Sequence, residues 1–297
     1  MMQSELSTIV TYNPWAVAGD TTLGDLADLL DSFDFHHWPV TDEERRLIGM
    51  LSSADLLRAF EAGAAALMIS DDRRAQRLAV IRNQAVSEVM SSRVSSIQQN
   101  ESPAAALWML LEHQIQALPV LTDSYLTALV TTSDFLRKFS YGGSLATCIS
   151  VSERMQAPCE SVDCNATLDD VAMAMNFGQS GAIPVVRGDL PLGVVSRRDL
   201  GMMKLRQTLR QMSGEDIQAD HATSILALAA SAPTIRPGER LSRAAHLMLE
   251  HRRQAIAVVN QAGRLLGVVT EEMVLRTMLD TMRSCRHSVQ AFSAGTR

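Results

Sequence analysis

Apolar residues recur at helical spacing in four stretches of the chain, and each stretch is followed by two short apolar runs parted by a polar turn. In the first, Leu23, Leu26, Ala27, Leu30 and Phe33 keep the 3.6-residue period of an amphipathic helix. Thr22 with Asp25, and Thr167 with Asp170, place a hydroxyl and a carboxylate three residues apart at a helix start. Ser102 followed by Pro103 reads as an N-cap with proline at the first helical position. The runs Leu118–Leu121 and Ile183–Val186 suit buried strands, and the segments TDEERR, TDSY, RGDLP and NQAGR suit turns. Second runs follow as LIGML, TALV, LGVV and LLGVV, and Ser52, Thr131, Ser196 or Thr270 then caps a second helix. Each unit therefore reads helix, strand, turn, strand, helix.

The four units are copies of one layout. Residues 86–134 match residues 151–199 without a gap at an offset of 65, aligning VSEVM with VSERM, Pro119 with Pro184 and Asp134 with Asp199. An offset of 218 brings Leu23 onto Leu241, Pro39 onto Ala257, Gly49 onto Gly267 and Ser52 onto Thr270. A unit of about 55 residues is too small to bury its sheet alone, so the units should pair. Segments around 61–85 and 204–224 read as linkers, with Asp71, Asp72, Arg73 and Arg74 on a solvated linker helix, and Tyr141-Gly142-Gly143 is the best boundary between the halves. Two departures stand out: Ala128 replaces a glycine in unit two, and unit four has Ala257 for the proline and Met273 for the aspartate.

Composition narrows the function. The 297 residues allow two domains, and an apolar fraction of 46% can fill a core in each. With 27 basic against 33 acidic residues the net charge is −6, which lacks the basic field that holds nucleic acid. Seven Phe, three Tyr and three Trp are too few for stacking platforms, so aliphatic residues and sixteen Met fill the core. Cys148, Cys159, Cys164 and Cys285 form no CxxC pair, which fits reduced thiols. Apolar runs such as Ala64–Ile69 and Ile225–Ala230 fall far short of the ~20 residues that span a bilayer. The first residues carry no signal-peptide pattern, so the expectation is a soluble, cytoplasmic protein without membrane insertion. No G-x-S-x-G, H-E-x-x-H, P-loop or G-x-G-x-x-G stands at a convincing position, and an enzyme is not expected. His246, Glu250 and His251 are spaced poorly for a metal site on one helical face and read as a polar surface.

A strand ending in A-h-P-V, then G-h-h-S/T-x-x-D opening a helix, resembles the cystathionine β-synthase (CBS) motif. The match is strong in QALPV…ALVTTSD and GAIPV…GVVSRRD, good in HHWPV…GMLSSAD, and partial in QAIAV…GVVTEEM. The resemblance implies an α/β (α+β) fold of four β-α-β-β-α units paired into two Bateman modules. These would be residues 1–140, with motifs at about 5–62 and 83–140, and residues 141–297, with motifs at about 148–206 and 224–282. The layout is similar to the gamma subunit of AMP-activated protein kinase and to small prokaryotic four-CBS proteins. It implies regulatory binding of an adenosyl ligand (AMP, ADP, ATP or S-adenosylmethionine), no catalytic cofactor, and signalling to a separate partner protein, with a homodimer also allowed. A scaffold whose clefts have lost their ligands is the alternative.

The candidate chemistry lies where strand turns into helix. Backbone N–H groups and the helix dipole there attract anions, by ~0.3–1 kcal/mol at exposed sites. A carboxylate three residues on can accept from both hydroxyls of a ribose, as Ser52 with Asp55, Thr131 with Asp134 and Ser196 with Asp199 would do; Ser133 shares that turn. The same pattern is also a capping box worth ~1 kcal/mol, and both readings stand. In unit four Thr270 can cap, Met273 cannot hold a diol, and Glu271 and Glu272 would repel a phosphate, so that unit's own cleft is expected to be empty. By resemblance, the backbone at Ile115, Gln116 and Ala117, and at Ser180, Gly181 and Ala182, borders the adenine, while basic residues before P-V, here His36 and His37, contact phosphates. Adjacent strand residues point to opposite faces, so at most one histidine is expected in a cleft. Arg197 and Arg198 oppose the dipole of the helix they open, which either a polyphosphate or simple solvation explains.

Overall fold

A computed structural model of the chain describes residues 5–29, 36–65, 74–141, 148–177, 181–212, 225–226, 228–229 and 232–294. Unit one comprises β2 (Val17–Ala18), α1 (Leu23–Leu29), β3 (His37–Thr41), β4 (Leu47–Ser52) and α2 (Ser53–Ala65), and it follows a short strand β1 (Thr11–Tyr12). Helices α3 (Arg74–Arg82) and α4 (Val86–Val89) lead into unit two: β5 (Ile97–Gln98), α5 (Pro103–Glu112), β6 (Ala117–Thr122), β7 (Tyr125–Thr131) and α6 (Thr132–Tyr141). Unit three comprises β8 (Val162–Asp163), α7 (Leu168–Phe177), β9 (Ala182–Arg187), β10 (Leu190–Ser196) and α8 (Arg197–Met212). Unit four comprises β11 (Thr234–Ile235), α9 (Leu241–Glu250), β12 (Ala255–Val259), β13 (Leu265–Thr270) and α10 (Glu271–Ala294).

The expected β-α-β-β-α order is thus met in all four units. In each, the short first strand runs parallel to the central strand, and the central strand forms an antiparallel hairpin with the third. The predicted starts are in place: Thr22 Oγ1 and Asp25 close a reciprocal cap, Thr167 and Asp170 do the same, and Ser102 Oγ accepts from Ala105 N at 3.2 Å. Each hairpin turn holds a residue in the left-handed region: Arg45, Asp123, Gly188 or Gly263. The two glycines meet this at no steric cost. Leu30 and Phe33 lie outside the described residues.

The units pair through strands and close into a ring through helices. Bridges Thr22–Ala85 and Met50–Ser91 join unit one to the entry of unit two, and Ser150–Arg240 and Gln156–Val268 join units three and four. These are the same two bridges under the sequence offsets: 218 carries Thr22 to Arg240 and Met50 to Val268, and 65 carries Ala85 to Ser150 and Ser91 to Gln156. Unit one therefore corresponds to four and unit two to three, a pseudo-two-fold relation between halves. Across the halves, α2 packs on α8, and α6 packs on α9 and α10. One apolar core runs from Leu107, Leu118 and Phe135 of unit two to Leu241, Ile256 and Leu275 of unit four. The cyclic order is one, two, four, three, closed within one chain.

The described parts of the two expected linkers are structural; residues 66–73 and 213–224 lie outside the described residues. Residues 204–212 continue α8, and Leu205, fully buried, enters the core of unit one beside Trp38, Leu56 and Phe60. Ile81 of α3 joins the same core, so apolar burial anchors the described part of each segment, while Val80 of the same helix stays exposed. Asp71, Asp72, Arg73 and the boundary glycines Gly142 and Gly143 lie outside the described residues. Among the described residues no helix is long and apolar enough to cross a membrane.

The departure at Ala128 also has a packing cause. Its counterpart by the offset of 65 is Gly193, where a Cβ would collide with the Ala229 backbone. At Ala128 the crossing segment is instead β1, which pairs edgewise through Tyr12 and leaves space for the methyl group. Gly267, likewise, lies against the Gln156 carbonyl. Replacing Gly193 by Ala should lower unfolding free energy by about 1–3 kcal/mol through overpacking. The matched Ala128→Gly change should cost no more than about 1 kcal/mol. Urea midpoints of the two variants against the parent measure the difference.

Candidate functional site

The same joint recurs at the mouth of every unit. The strand position just before h-P-V stands opposite the Ser or Thr that ends the hairpin: His37 opposite Ser52, Ala117 opposite Thr131, Ala182 opposite Ser196 and Ala255 opposite Thr270. The first helical N–H then donates to the carbonyl one residue further back. The pairs are Ser53 N to His36 O at 3.1 Å, Thr132 N to Gln116 O at 3.0 Å, Arg197 N to Gly181 O at 3.0 Å and Glu271 N to Gln254 O at 2.7 Å. Each second helix is thereby pinned by its N-terminus to the start of its central strand.

The S/T-x-x-D carboxylates close capping boxes in all three units that have them. Ser52 N and Oγ donate to Asp55 Oδ2 at 2.8 and 2.6 Å, and Asp55 N donates back to Ser52 Oγ at 3.3 Å. Thr131 with Asp134, and Ser196 with Asp199, repeat this geometry. In unit four only Met273 N to Thr270 Oγ1 remains, at 3.4 Å. The second carboxylate oxygen faces an arginine. Arg58 pairs with Asp55 Oδ1, Arg137 with Asp134 Oδ1 at 2.9 Å, and Arg253 approaches Asp199 Oδ1 at 3.9 Å. The sequence reading missed these arginines. D-x-x-R at 55/58 and 134/137 was a legible signal, whereas Arg253 comes from unit four and only the tertiary fold brings it to Asp199.

A cavity of about 800 Å³ opens at the centre and draws its wall from all four units. Unit one supplies His36, His37, Ser52 and Asp55; unit two supplies Ile115, Gln116, Ala117 and Thr132; unit three supplies Gly181, Ala182, Arg197 and Arg198. Unit four supplies Gln254, Thr270, Glu271 and Glu272, and Arg93 enters from the approach to β5. Thr131, Ser133, Asp134, Ser196 and Asp199 do not line this cavity, and Ser180 lies outside the described residues. Of the hydroxyl–carboxylate pairs, Ser52 with Asp55 is the one on its wall. Both histidines line it as well, against the expectation of one at most, because His36 precedes β3 and so escapes the strict alternation of a strand. Arg197 Nη2 donates to the Met175 carbonyl at 3.3 Å. His246 pairs with Glu250 at 3.7 Å on α9, and His251 caps the end of that helix.

Two titratable groups on the wall are displaced from their ordinary behaviour. His37 keeps some accessible surface but is packed round by protein, and this desolvation, with the charges of His36 and Arg198, lowers its pKa to about 4 against a smaller opposing pull from Asp55. It is therefore neutral at pH 7. Burial pushes the Glu271 carboxyl up from the usual carboxylate range, while Thr132, Arg198 and Gln254 act in the opposite direction. The repulsion expected from Glu271 belongs to its ionised form, which this environment disfavours.

Comparison with known proteins places the fold. The family described as CBS domain matches residues 6–62, 86–141, 151–200 and 227–280. The uncharacterized protein MJ1225 of Methanocaldococcus jannaschii is 22% identical over 276 residues, covering 90% of this chain and 94% of that one. Its crystal structure, proposed there as an archaeal homolog of g-AMPK, superposes with a TM-score of 0.68 at 19% identity, over 92% of this chain and 99% of that one. An uncharacterized conserved protein of Pyrococcus horikoshii superposes with a TM-score of 0.58 at 16% identity, over 92% and 98% of the two chains. At such identities the likeness speaks for the fold alone.

The histidine gives a pH signature. Its folded pKa of about 4 lies below the ordinary 6.5, so the unfolded chain binds the extra proton between those values and stability falls as pH drops through that window. The full effect is of order 3 kcal/mol. Replacing His37 by Gln should flatten this part of the stability profile relative to the parent, read from urea unfolding at pH 7 and pH 4.5. An unchanged difference between the two proteins would contradict the desolvated histidine.

Proposed function

The chain belongs to the CBS-domain family and carries four copies of the domain; from that premise we propose that it is a non-catalytic regulatory protein binding an adenosyl ligand (AMP, ADP, ATP or S-adenosylmethionine) in the clefts of paired CBS motifs. CBS-domain proteins are generally regulatory rather than catalytic. In this reading residues 1–140 and 141–297 are the two Bateman modules of a cytoplasmic protein, and the ligand alters their relative arrangement for a separate partner protein to read. A ligand shifts such an arrangement only as far as it binds one form more tightly than the other.

The observation that carries the proposal is the company kept around the central cavity. Ser52 and Asp55 offer the hydroxyl and carboxylate suited to a ribose, and the 115–117 backbone lies on the same wall. Arg197 and Arg198 offer positive charge at a helix start for a phosphate or carboxylate. The volume, about 800 Å³, falls in the range of roughly 300–1,000 Å³ usual for small-molecule sites. In this reading Asp55 Oδ2 stays with its cap and Oδ1 exchanges Arg58, a largely exposed partner, for a ribose hydroxyl.

One observation favours the alternative scaffold: every S/T-x-x-D carboxylate already has both oxygens engaged or faced by arginine. Thermal unfolding with AMP, ATP and S-adenosylmethionine separates the two. A true ligand at a hundred times its Kd should add ~2.7 kcal/mol of stability. Asp55→Ala should lose that increment, measured as the difference with and without ligand in the same variant, beyond the ~1 kcal/mol the missing cap costs both states. ATP and S-adenosylmethionine should be recovered unchanged after incubation. No shift with any of the three would favour the scaffold.

A further inference from the structure

Ser95 lines the central cavity from the approach to β5, and its Oγ lies 2.8 Å from His113 Nδ1. The fold holds both residues beside the 115–117 backbone. β5 runs parallel to β6 with Ile97 opposite Val120, so the residues before β5 pass alongside the start of β6. His113 is the C-cap of α5, its N–H donating to the Met109 carbonyl at 3.0 Å. From there the chain turns through Gln114, whose φ is 53°, into Ile115. The Trp108 ring packs edge-on to the imidazole, with centroids 6.3 Å apart. Ser95 is half-buried and His113 is exposed. The pair is not a requirement of the repeated fold. Counted from the helix starts Leu23, Pro103, Leu168 and Leu241, the matching positions hold Trp15 and Phe33 in unit one, Glu160 and Gly178 in unit three, and Pro233 and His251 in unit four. Unit two alone has a hydroxyl and an imidazole there.

We propose that Ser95 selects the base of the ligand, its Oγ donating to His113 Nδ1 and accepting from the exocyclic amino group of an adenine whose ribose is held at Ser52 and Asp55. This deepens the function proposed above and rests on it. A serine hydroxyl has one proton to give and two lone pairs to offer. An unprotonated imidazole nitrogen is a better acceptor than a hydroxyl oxygen, so the proton goes to His113 and the lone pairs remain for the cavity. The ring then carries its hydrogen on Nε2, where solvent can satisfy it at the exposed end of α5. An amino group on the base edge meets the free lone pairs with a donor. A keto oxygen in the same place sets acceptor against acceptor, and the hydroxyl can answer it only by turning away from His113 and breaking that bond. His113 is therefore a positioning residue: it fixes the direction of the hydroxyl and does not itself touch the ligand. The discrimination comes from the unfavourable pairing with the wrong base as much as from the favourable one with the right base.

Calorimetric titration of the full chain with AMP against IMP, and with ATP against ITP, in a mildly alkaline buffer tests this. Within each pair the sugar and phosphates are identical and the base edge changes from amino to keto. The parent should bind the amino member about tenfold more tightly. Ser95→Ala should weaken the amino member about tenfold and leave the keto member within about threefold, so that the preference disappears. Ser95→Thr, which keeps the hydroxyl, should keep the preference. His113→Phe should lose it by freeing the hydroxyl to donate to a keto oxygen, whereas His113→Asn, whose side-chain oxygen can accept in place of Nδ1, should retain most of it. Taking the ratio within one variant cancels any general loss of stability. Equal weakening of both members in Ser95→Ala would mark a structural role and overturn the proposal, as would a preference that survives in Ser95→Ala or His113→Phe. A parent that binds both members alike overturns it and leaves the reading of the cleft intact. A parent that binds no member of either pair ends the reading of the cleft first, and this inference with it.

Discussion

The hydrogen bond from the first N–H of each second helix to the carbonyl before its central strand organises the molecule. It ties a helix N-terminus to a strand start within one unit, at a fixed distance and direction. Four such joints, brought together by the ring of units, direct four helix starts at one cavity. Without that joint the first helical residues Ser53, Thr132, Arg197 and Glu271 would have no common focus.

Closure of the ring follows from apolar burial. A three-stranded sheet with two helices leaves too much apolar surface exposed to stand alone. Strand bridges seal units one with two and three with four, and helix packing then joins two with four and one with three. The cores ignore unit boundaries: Leu205 of unit three is buried in unit one, and Leu6 is buried in the core shared by units two and four. The pseudo-two-fold relation holds through these exchanges because residues near each unit's entry cover a neighbour, Leu6 over unit two and Ile225 and Ala229 over unit three.

Electrostatic character varies around the cavity although the backbone repeats. Units one to three place an aspartate in the first turn and neutralise it with an arginine, from the same helix in units one and two and from unit four for Asp199. Unit four has neither, and its half-buried Glu271 is influenced by Arg198 instead. His37 is held neutral by desolvation within the same wall. Identical joints thus carry unlike chemistry, which suits a site that distinguishes one end of a ligand from the other.

Local chemistry alone determined the units, their order of elements, the caps at Thr22, Ser102 and Thr167, and the hydroxyl–carboxylate turns, because hydrogen bonds three residues apart and apolar periodicity are written in neighbouring residues. The fourfold copy followed from the offsets of 65 and 218 for the same reason. Tertiary structure decided what no local pattern encodes: that Leu205 and Ile81 are core rather than linker, that Ala128 is tolerated where Gly193 is required, and that Arg253 belongs to Asp199. It also decided that Ser52 and Asp55 line the central cavity while Asp134 and Asp199 do not, and that one carboxyl oxygen of Glu271 is shut off from solvent. Each of these depends on which unit lies across the ring, and burial, close approach and desolvation arise only when distant segments meet.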